Sequence, residues 1–215
     1  MSNVFNLKTN FMTPLIKLFI KHPKLMESKT FLRAMLIFPE KISKSYDSKV
    51  KDSDIDYQAA LSYGLSTIER KPQRILDLCT GTGFAAFMAL KYFQDSLVTG
   101  VDQSSTMLEV AKGKIEASDS ERINFEFGNA AKLSYEDEAF DLIITSNAPI
   151  YLKEAVRVLG RGGNLIVTYS FGGDAFIKAE NEIVSLLNEN GLHLVNLKSV
   201  GRGSVIHGQK LLLSF

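Results

Sequence analysis

The chain has 215 residues, 45% hydrophobic and 23% charged, with a formal net charge of +1 at neutral pH. That is the make-up of an ordinary globular chain with room for one sizeable core, and the near-zero charge speaks against nucleic acid as a partner. The one cysteine, Cys79, excludes an intrachain disulfide and makes the cytoplasm the default compartment, and the scattered His22, His193 and His207 offer no metal-ligand spacing.

The average charge hides an asymmetry. Residues 1–51 carry ten Lys/Arg against three Asp/Glu, so the remainder is acidic. The apolar run Pro14–Ile20 is interrupted by Lys17 and is far short of the roughly 20 residues a spanning helix needs. It has no small-residue cleavage pattern and is not read as a signal peptide. This first third reads as short helices. Thr13-Pro14 pairs an N-cap with proline at the first helical position, and His22-Pro23 ends that helix. Thr30 caps a second helix over Phe31–Phe38, and Pro39 opens a third through about Tyr46. Ser53 or Asp54 caps a longer helix to Arg70, with Ile55, Ala59, Leu61, Leu65 and Ile68 roughly on one face. The division expected is a helical appendage over 1–53 and a main domain over 54–215.

From Arg74 onward short apolar runs alternate with helical patterns. "RILDLC" predicts a strand and Phe84–Phe93 a helix; "LVTGVD" a strand and Thr106–Ala117 a helix; "INFEFG" a strand. "FDLIITS" predicts a strand and Ile150–Leu159 a helix, with "GNLIVTYS" a strand and Ala175–Asn190 a helix. Gly162-Gly163, at the start of that strand, reads as a turn. "LHLVNLKSV" and "SVIHGQKLLLSF" are two final strands, and the "GRG" between them is too short for a parallel crossover. The expected fold is therefore α/β: a doubly wound, seven-stranded mixed sheet ending in an antiparallel hairpin, with an N-terminal helical segment.

The stretch "LDLCTGTGFAA" (Leu76–Ala86) carries the chemistry. Gly81-Thr82-Gly83-Phe84-Ala85-Ala86 fits the nucleotide-turn pattern G-x-G-x-x-A. A dinucleotide would put a pyrophosphate at the following helix N-terminus. Asp77, four residues before Gly81, would oppose that anion and suit a cofactor that offers an ammonium group instead. Asp102, 19 residues after Gly83, stands where a carboxylate accepts hydrogen bonds from ribose hydroxyls. Asp102 points to a nucleoside and Asp77 to one with an ammonium group and no phosphate; S-adenosylmethionine is such a cofactor. A nicotinamide-dependent oxidoreductase is the lesser alternative, because the chain leaves little room for a substrate domain.

From Arg74 the sequence resembles the class I S-adenosylmethionine-dependent methyltransferases, whose fold is Rossmann-like. "ILDLCTGTGFAAFMAL" is similar to the family's first motif and "VTGVDQSSTMLEVAK" to its second. "INFEFGNAAKL", "FDLIITSNA" and "EAVRVLGRGGNLIV" follow in the family's order. The resemblance implies that Asp77, Cys79, Thr80, Gly81 and Gly83 line the methionine end of the cofactor. By the same resemblance Asp102 binds the ribose diol, Gln103 and Met107 pack beside the adenosine, and Asn129 and Ala130 meet the adenine edge. Ser146 and Asn147 then face the methyl group and the acceptor, with Tyr151 and Tyr169 as further acceptor-side candidates for which packing is the competing reading. Two positions depart from the family: Cys79 replaces a glycine, and Asn129 stands where many members have Asp.

For a catalytic group the candidates are Tyr46, whose Tyr46-Asp47 pair resembles one ahead of the core in several small-molecule methyltransferases, and His207. The family's N-P-P-[YF] motif is replaced by "SNAP" at Ser146–Pro149, and no metal-ligand cluster follows the fourth strand. The expectation is methyl transfer to a small, apolar or lipid-like acceptor, with no metal and no nucleic acid. A protein of the same fold that binds the cofactor without turnover is the alternative. The basic N-terminal segment reads as a lid over the acceptor, as an ordinary solvated face, or as an amphipathic surface for peripheral membrane contact through Phe11, Leu15, Leu18 and Phe19.

Overall fold

The computed structural model describes residues 57–212. The three short helices predicted over the N-terminal third, the predicted start of the fourth, the candidate Tyr46 and the last three residues of the predicted final strand lie outside the described residues.

The described chain runs α1 (Tyr57–Ser66), β1 (Arg74–Leu78), α2 (Phe84–Tyr92), β2 (Leu97–Asp102), α3 (Ser105–Lys112), β3 (Ile123–Phe127) and β4 (Phe140–Ser146). It continues as α4 (Leu152–Val158), β5 (Leu159–Tyr169), α5 (Gly173–Ile177), α6 (Glu180–Glu189), β6 (Leu192–Val200) and β7 (Gly203–Lys210). All seven strands join one sheet in the order β3-β2-β1-β4-β5-β7-β6. The first five pair in parallel, and β7 is antiparallel to both β5 and β6. The mixed sheet and terminal hairpin are those the sequence predicts. β1 has β2 on one side and β4 on the other, so the winding reverses at its edge. That reversal opens a crevice at the carboxyl ends of β1 and β4, where ligands of such sheets bind.

Because helices cover both faces, the central strands are apolar on both sides rather than alternating. Four consecutive residues of β1, Ile75–Leu78, are buried, and so are Leu142–Thr145 of β4. On one face α1, α2 and α3 pack Leu61, Leu65, Ala86, Ala89 and Leu108 against Ile75, Leu142, Ile144 and Ile166. On the other, α4, α5 and α6 pack Ala155, Val158, Phe176, Ile183 and Leu187 against Leu76, Ile143, Leu165 and Ile206. Each fully buried Leu or Ile contributes about 1.5–3 kcal/mol. α1 lies tight on the sheet: a Cβ added at Gly64 would fall 2.8 Å from Ile166 Cγ2.

Five elements differ from expectation, the first being the final strand, which the sequence predicts through Leu211 and Leu212 but which ends at Lys210. α1 stops at Ser66, not Arg70. Thr67 turns its Oγ1 onto the Gly64 carbonyl (2.7 Å), competing with the helix's own bonds. α3 stops at Lys112, where Gly113 closes it. β5 begins at Leu159, so Gly162-Gly163 is not a separate turn. Leu159 pairs with Phe140, the register then shifts, and Gly162 at φ 70° takes up the irregularity inside the strand. The single helix expected over 175–190 is two. Ala179, fully buried between them, bonds its amide to the Phe176 carbonyl three residues back (3.0 Å), a tighter turn than the α-helix. No Gly or Pro marks that break.

Candidate functional site

The chain leaves β1 through a turn with three residues in the left-handed region: Cys79 (φ 57°), Gly81 (φ 56°) and Gly83 (φ 85°). The Thr80 amide bonds the Val101 carbonyl (3.0 Å), tying the turn to β2, and the Gly83 amide bonds Thr80 O (2.9 Å). The two glycines serve different needs. A Cβ at Gly83 would sit 2.7 Å from Phe125 Cζ and 2.9 Å from Phe87 Cε2, so packing as well as dihedral demands glycine there. Among the described residues a Cβ at Gly81 would meet nothing within 4 Å, which leaves that backbone clear of them for a ligand to approach. Cys79 holds the left-handed position without being glycine, which strains the backbone.

Asp77 is buried, with 1% of its surface exposed. Both of its hydrogen bonds fall on Oδ2, from Thr80 Oγ1 (2.6 Å) and from the Ala86 amide (3.0 Å) in the first turn of α2. The carboxylate thus caps the N-terminus of α2, where a phosphate would otherwise be held. Burial pushes its carboxyl up from the ordinary 3.8 to about 7, against the pull of the Thr80 and Ala86 donors. Burial, with the Asp102 and Asp77 charges added, pushes the half-buried Cys79 thiol up as well, so it stays a thiol and a poor nucleophile.

Asp102, at the carboxyl end of β2, accepts the Gly81 amide on Oδ2 (2.8 Å) and the Ser104 amide on Oδ1 (2.9 Å). Burial raises its carboxyl, and the Ser104, Gly81 and Gln103 backbone donors oppose the rise. Gln103 Nε2 bonds Asn129 Oδ1 (3.1 Å), which also accepts the Ala131 amide (2.9 Å). Met107 and Ala130 are buried. The nucleoside-side candidates therefore gather around the ends of β1, β2 and β3.

The acceptor-side candidates are more constrained. Ser146 Oγ accepts Thr168 Oγ1 (3.0 Å). Asn147, at φ 54°, uses both ends of its amide on Ser170: Nδ2 bonds Ser170 Oγ (2.9 Å) and Oδ1 accepts the Ser170 amide (2.8 Å). It brackets the ends of β4 and β5. Tyr151 is buried in the core. Tyr169 stacks on Phe176 (centroids 4.6 Å, 13°) and gives its hydroxyl to Ala148 O (3.1 Å). Burial, and next the nearby Cys79 thiol, raise its phenol to about 12. Packing is thus what the structure gives Tyr151 and Tyr169. His207 lies within the sheet, opposite Ile166, with Nδ1 on Thr67 Oγ1 (2.9 Å) and Nε2 on Asn164 Oδ1 (2.8 Å). Both ring nitrogens are engaged and 2% of the residue is exposed. Those two bonds tie the end of α1 to β5.

Three contributors escaped the sequence reading. Phe125 fills the space under Gly83 and Gly100. Thr168 and Ser170 come from the end of β5, next to β4 in space but more than 20 residues away in sequence. Only the pairing of β4 with β5 could have pointed to them.

The residues present suit a nucleoside with an ammonium end: an open glycine turn, carboxylates at Asp77 and Asp102, and an amide at Asn129. The family model described as a methyltransferase domain matches residues 69–200, well over half of the chain. A demethylmenaquinone methyltransferase of Bacillus mycoides is 37% identical over 139 residues, 59% of this chain and 58% of that protein. The enzyme of the same name from Listeria welshimeri is 33% identical over 138 residues, with the same shares. The chain thus spans less than two-thirds of the length of these curated relatives. A SAM-dependent methyltransferase from Aquifex aeolicus superposes with a TM-score of 0.61 at 18% identity, covering 80% of this chain and 98% of that one. One from Methanosarcina mazei gives 0.55 at 20%, covering 67% and 95%. At such identities the structures share the fold. Fold, turn and family match agree: the chain belongs to the methyltransferase domain family, among the class I S-adenosylmethionine-dependent methyltransferases its motifs resemble.

Proposed function

We propose that the protein is an S-adenosylmethionine-dependent methyltransferase acting on a small apolar or lipid-like acceptor, of the kind named in its relatives, demethylmenaquinone. The observation that carries the cofactor reading is Asp77 on the N-terminus of α2. A carboxyl group in that place takes up the anion site a dinucleotide needs. S-adenosylmethionine, when bound, supplies a methyl group already activated on a sulfonium. The chain's own residues then have to bind, orient and exclude water. Asp102 takes the ribose hydroxyls, and Gly81 allows close approach at the turn. Asn129, whose Oδ1 already accepts from Gln103 Nε2 and the Ala131 amide, keeps its Nδ2 donor for the adenine edge, where Asp is more usual.

Residues 54–215 form the methyltransferase domain in this reading, and the basic segment 1–53 covers or delivers the acceptor. Among the described residues no helix is long and apolar enough to cross a membrane. Any contact with a bilayer is assigned in this reading to that basic segment, on its ten Lys/Arg against three Asp/Glu over residues 1–51. His207 has both ring nitrogens bonded and its pKa lowered to about 4, and Tyr169 keeps its proton, so this reading uses neither as a base at neutral pH.

The test is calorimetric and kinetic. The full chain should bind S-adenosylhomocysteine and not NAD, and should release S-adenosylhomocysteine from S-adenosylmethionine only when a reduced, short-chain demethylmenaquinone is added. Binding of NAD alone would overturn the cofactor assignment. Cofactor binding with no turnover would favour a non-catalytic binder.

A further inference from the structure

The connection between β3 and β4 has no regular strand or helix of its own, yet two side chains of α4, Arg157 and Glu154, bond its middle. Arg157, on α4, gives Nη2 to the Leu133 carbonyl (3.0 Å) and Nη1 to the Tyr135 carbonyl (2.8 Å). The same guanidinium bonds Asp137 Oδ1 (2.8 Å) and forms a fork with Glu154, Nε to Oε1 (3.1 Å) and Nη2 to Oε2 (2.9 Å). Glu154 Oε2 in turn accepts the Leu133 amide (2.8 Å). Thus both backbone polar groups of Leu133 end on the Glu154–Arg157 pair. Hydrogen bonds from Arg157 hold the Glu154 carboxyl below its ordinary value, which keeps the fork ionised.

Leu133 matters because of what precedes it. Residues 129–132 form a tight turn, closed by the Lys132 amide on Asn129 O (2.9 Å) and the Ala131 amide on Asn129 Oδ1. At its start the turn is fixed to β2, since the Gly128 amide bonds the Asp102 carbonyl (3.0 Å). At its end Leu133 meets α4, and beyond it Tyr135 gives its hydroxyl to Glu126 Oε2 on β3 (2.7 Å). The turn carries Asn129 and Ala130, which the cofactor reading puts at the adenine edge.

We infer that Arg157 is a positioning residue for nucleoside recognition: with Glu154 it clamps Leu133 and Tyr135 and so sets the Asn129–Lys132 turn against Asp102. This rests on the S-adenosylmethionine reading above. Arg157 touches no ligand; it acts through backbone atoms. Its planar fork reaches two carbonyls and two carboxylates at once, which a lysine ammonium cannot reproduce. The pair is partly exposed, with 31% and 19% of the Arg157 and Glu154 side chains accessible, so its worth to global stability is small.

The test titrates the full chain and the variants Arg157→Ala and Arg157→Lys with S-adenosylhomocysteine and with adenosine, alongside thermal unfolding without ligand. Both variants should bind both ligands about tenfold more weakly, the effect of about one hydrogen bond to a charged group, with unfolding temperatures within a few degrees of the parent. Equal loss for both ligands puts the defect at the nucleoside end. Full rescue by Lys, or loss for S-adenosylhomocysteine with adenosine unchanged, would overturn the inference. So would unchanged affinities in both variants while the parent binds, and that result leaves the cofactor reading standing. A parent chain that binds neither ligand would remove both.

Discussion

Asp77→Asn isolates the electrostatic cost of the buried turn. Thr80 Oγ1 and the Ala86 amide both bond Oδ2, so an asparagine that turns its carbonyl oxygen the same way keeps both bonds and the turn geometry. What it removes is a titration. In the folded chain the Asp77 carboxyl is raised from 3.8 to about 7, first by burial and last by the Asp102 charge. The folded state therefore holds its proton through a range where the unfolded chain has released it. An acid shifted up in this way adds nothing below pH 3.8 and costs stability as pH climbs towards 7. Above about 7 both states are ionised and the cost is constant. At 1.36 kcal/mol per tenfold change in proton affinity, the full span is about 4 kcal/mol. Urea unfolding of parent and variant from pH 4 to pH 8 measures it. The difference between the two curves should grow in the variant's favour by about 1.4 kcal/mol per pH unit and level off near neutrality. Other titrating groups cancel in that difference. Parallel curves, within about 1 kcal/mol across the range, would show that Asp77 is ionised throughout and that the reasoning about its burial fails.

Cys79→Gly should stabilise the protein by about 1 kcal/mol, because φ 57° suits glycine, whereas Cys79→Ala keeps the strain and should not; thermal denaturation of the pair decides. Asp102→Ala should weaken S-adenosylhomocysteine binding by about 1.5–3 kcal/mol in a calorimetric titration, and an unchanged affinity would mean the ribose lies elsewhere. His207 is lowered from 6.5 to about 4, by burial first and His193 second. Its neutral form is favoured in the fold, so its contribution to stability is lost as pH falls from 6.5 towards 4. His207→Gln should flatten that part of the stability curve, and an equally steep acid limb in the variant would count against the assignment.

Much of the fold was legible because its signals are local. The apolar runs of β1, β2 and β4 stand at nearly the positions the pattern predicts, and the short "GRG" link dictates the antiparallel hairpin whatever surrounds it. The boundaries that moved were set by contacts the pattern does not contain. Thr67 ends α1 through its side chain and the buried Ala179 splits α5 from α6, while β5 reaches back to Leu159 because Phe140 is there to pair with it.

The same divide runs through the site. The sequence by itself determined the glycine turn, the two aspartates at the ends of successive strands, and with them the nucleoside class, since each depends on spacing along a single βαβ unit. Only the tertiary structure decided what those groups do. Asp77 turns inward to cap α2, Asn147 brackets Ser170, His207 joins Thr67 to Asn164, and Arg157 holds the connection that ends in β4. Except for Asp77, these partners are separated by more than 20 residues. They meet only because the sheet lays β4, β5 and β7 side by side, and distance along the chain carries no trace of that closeness.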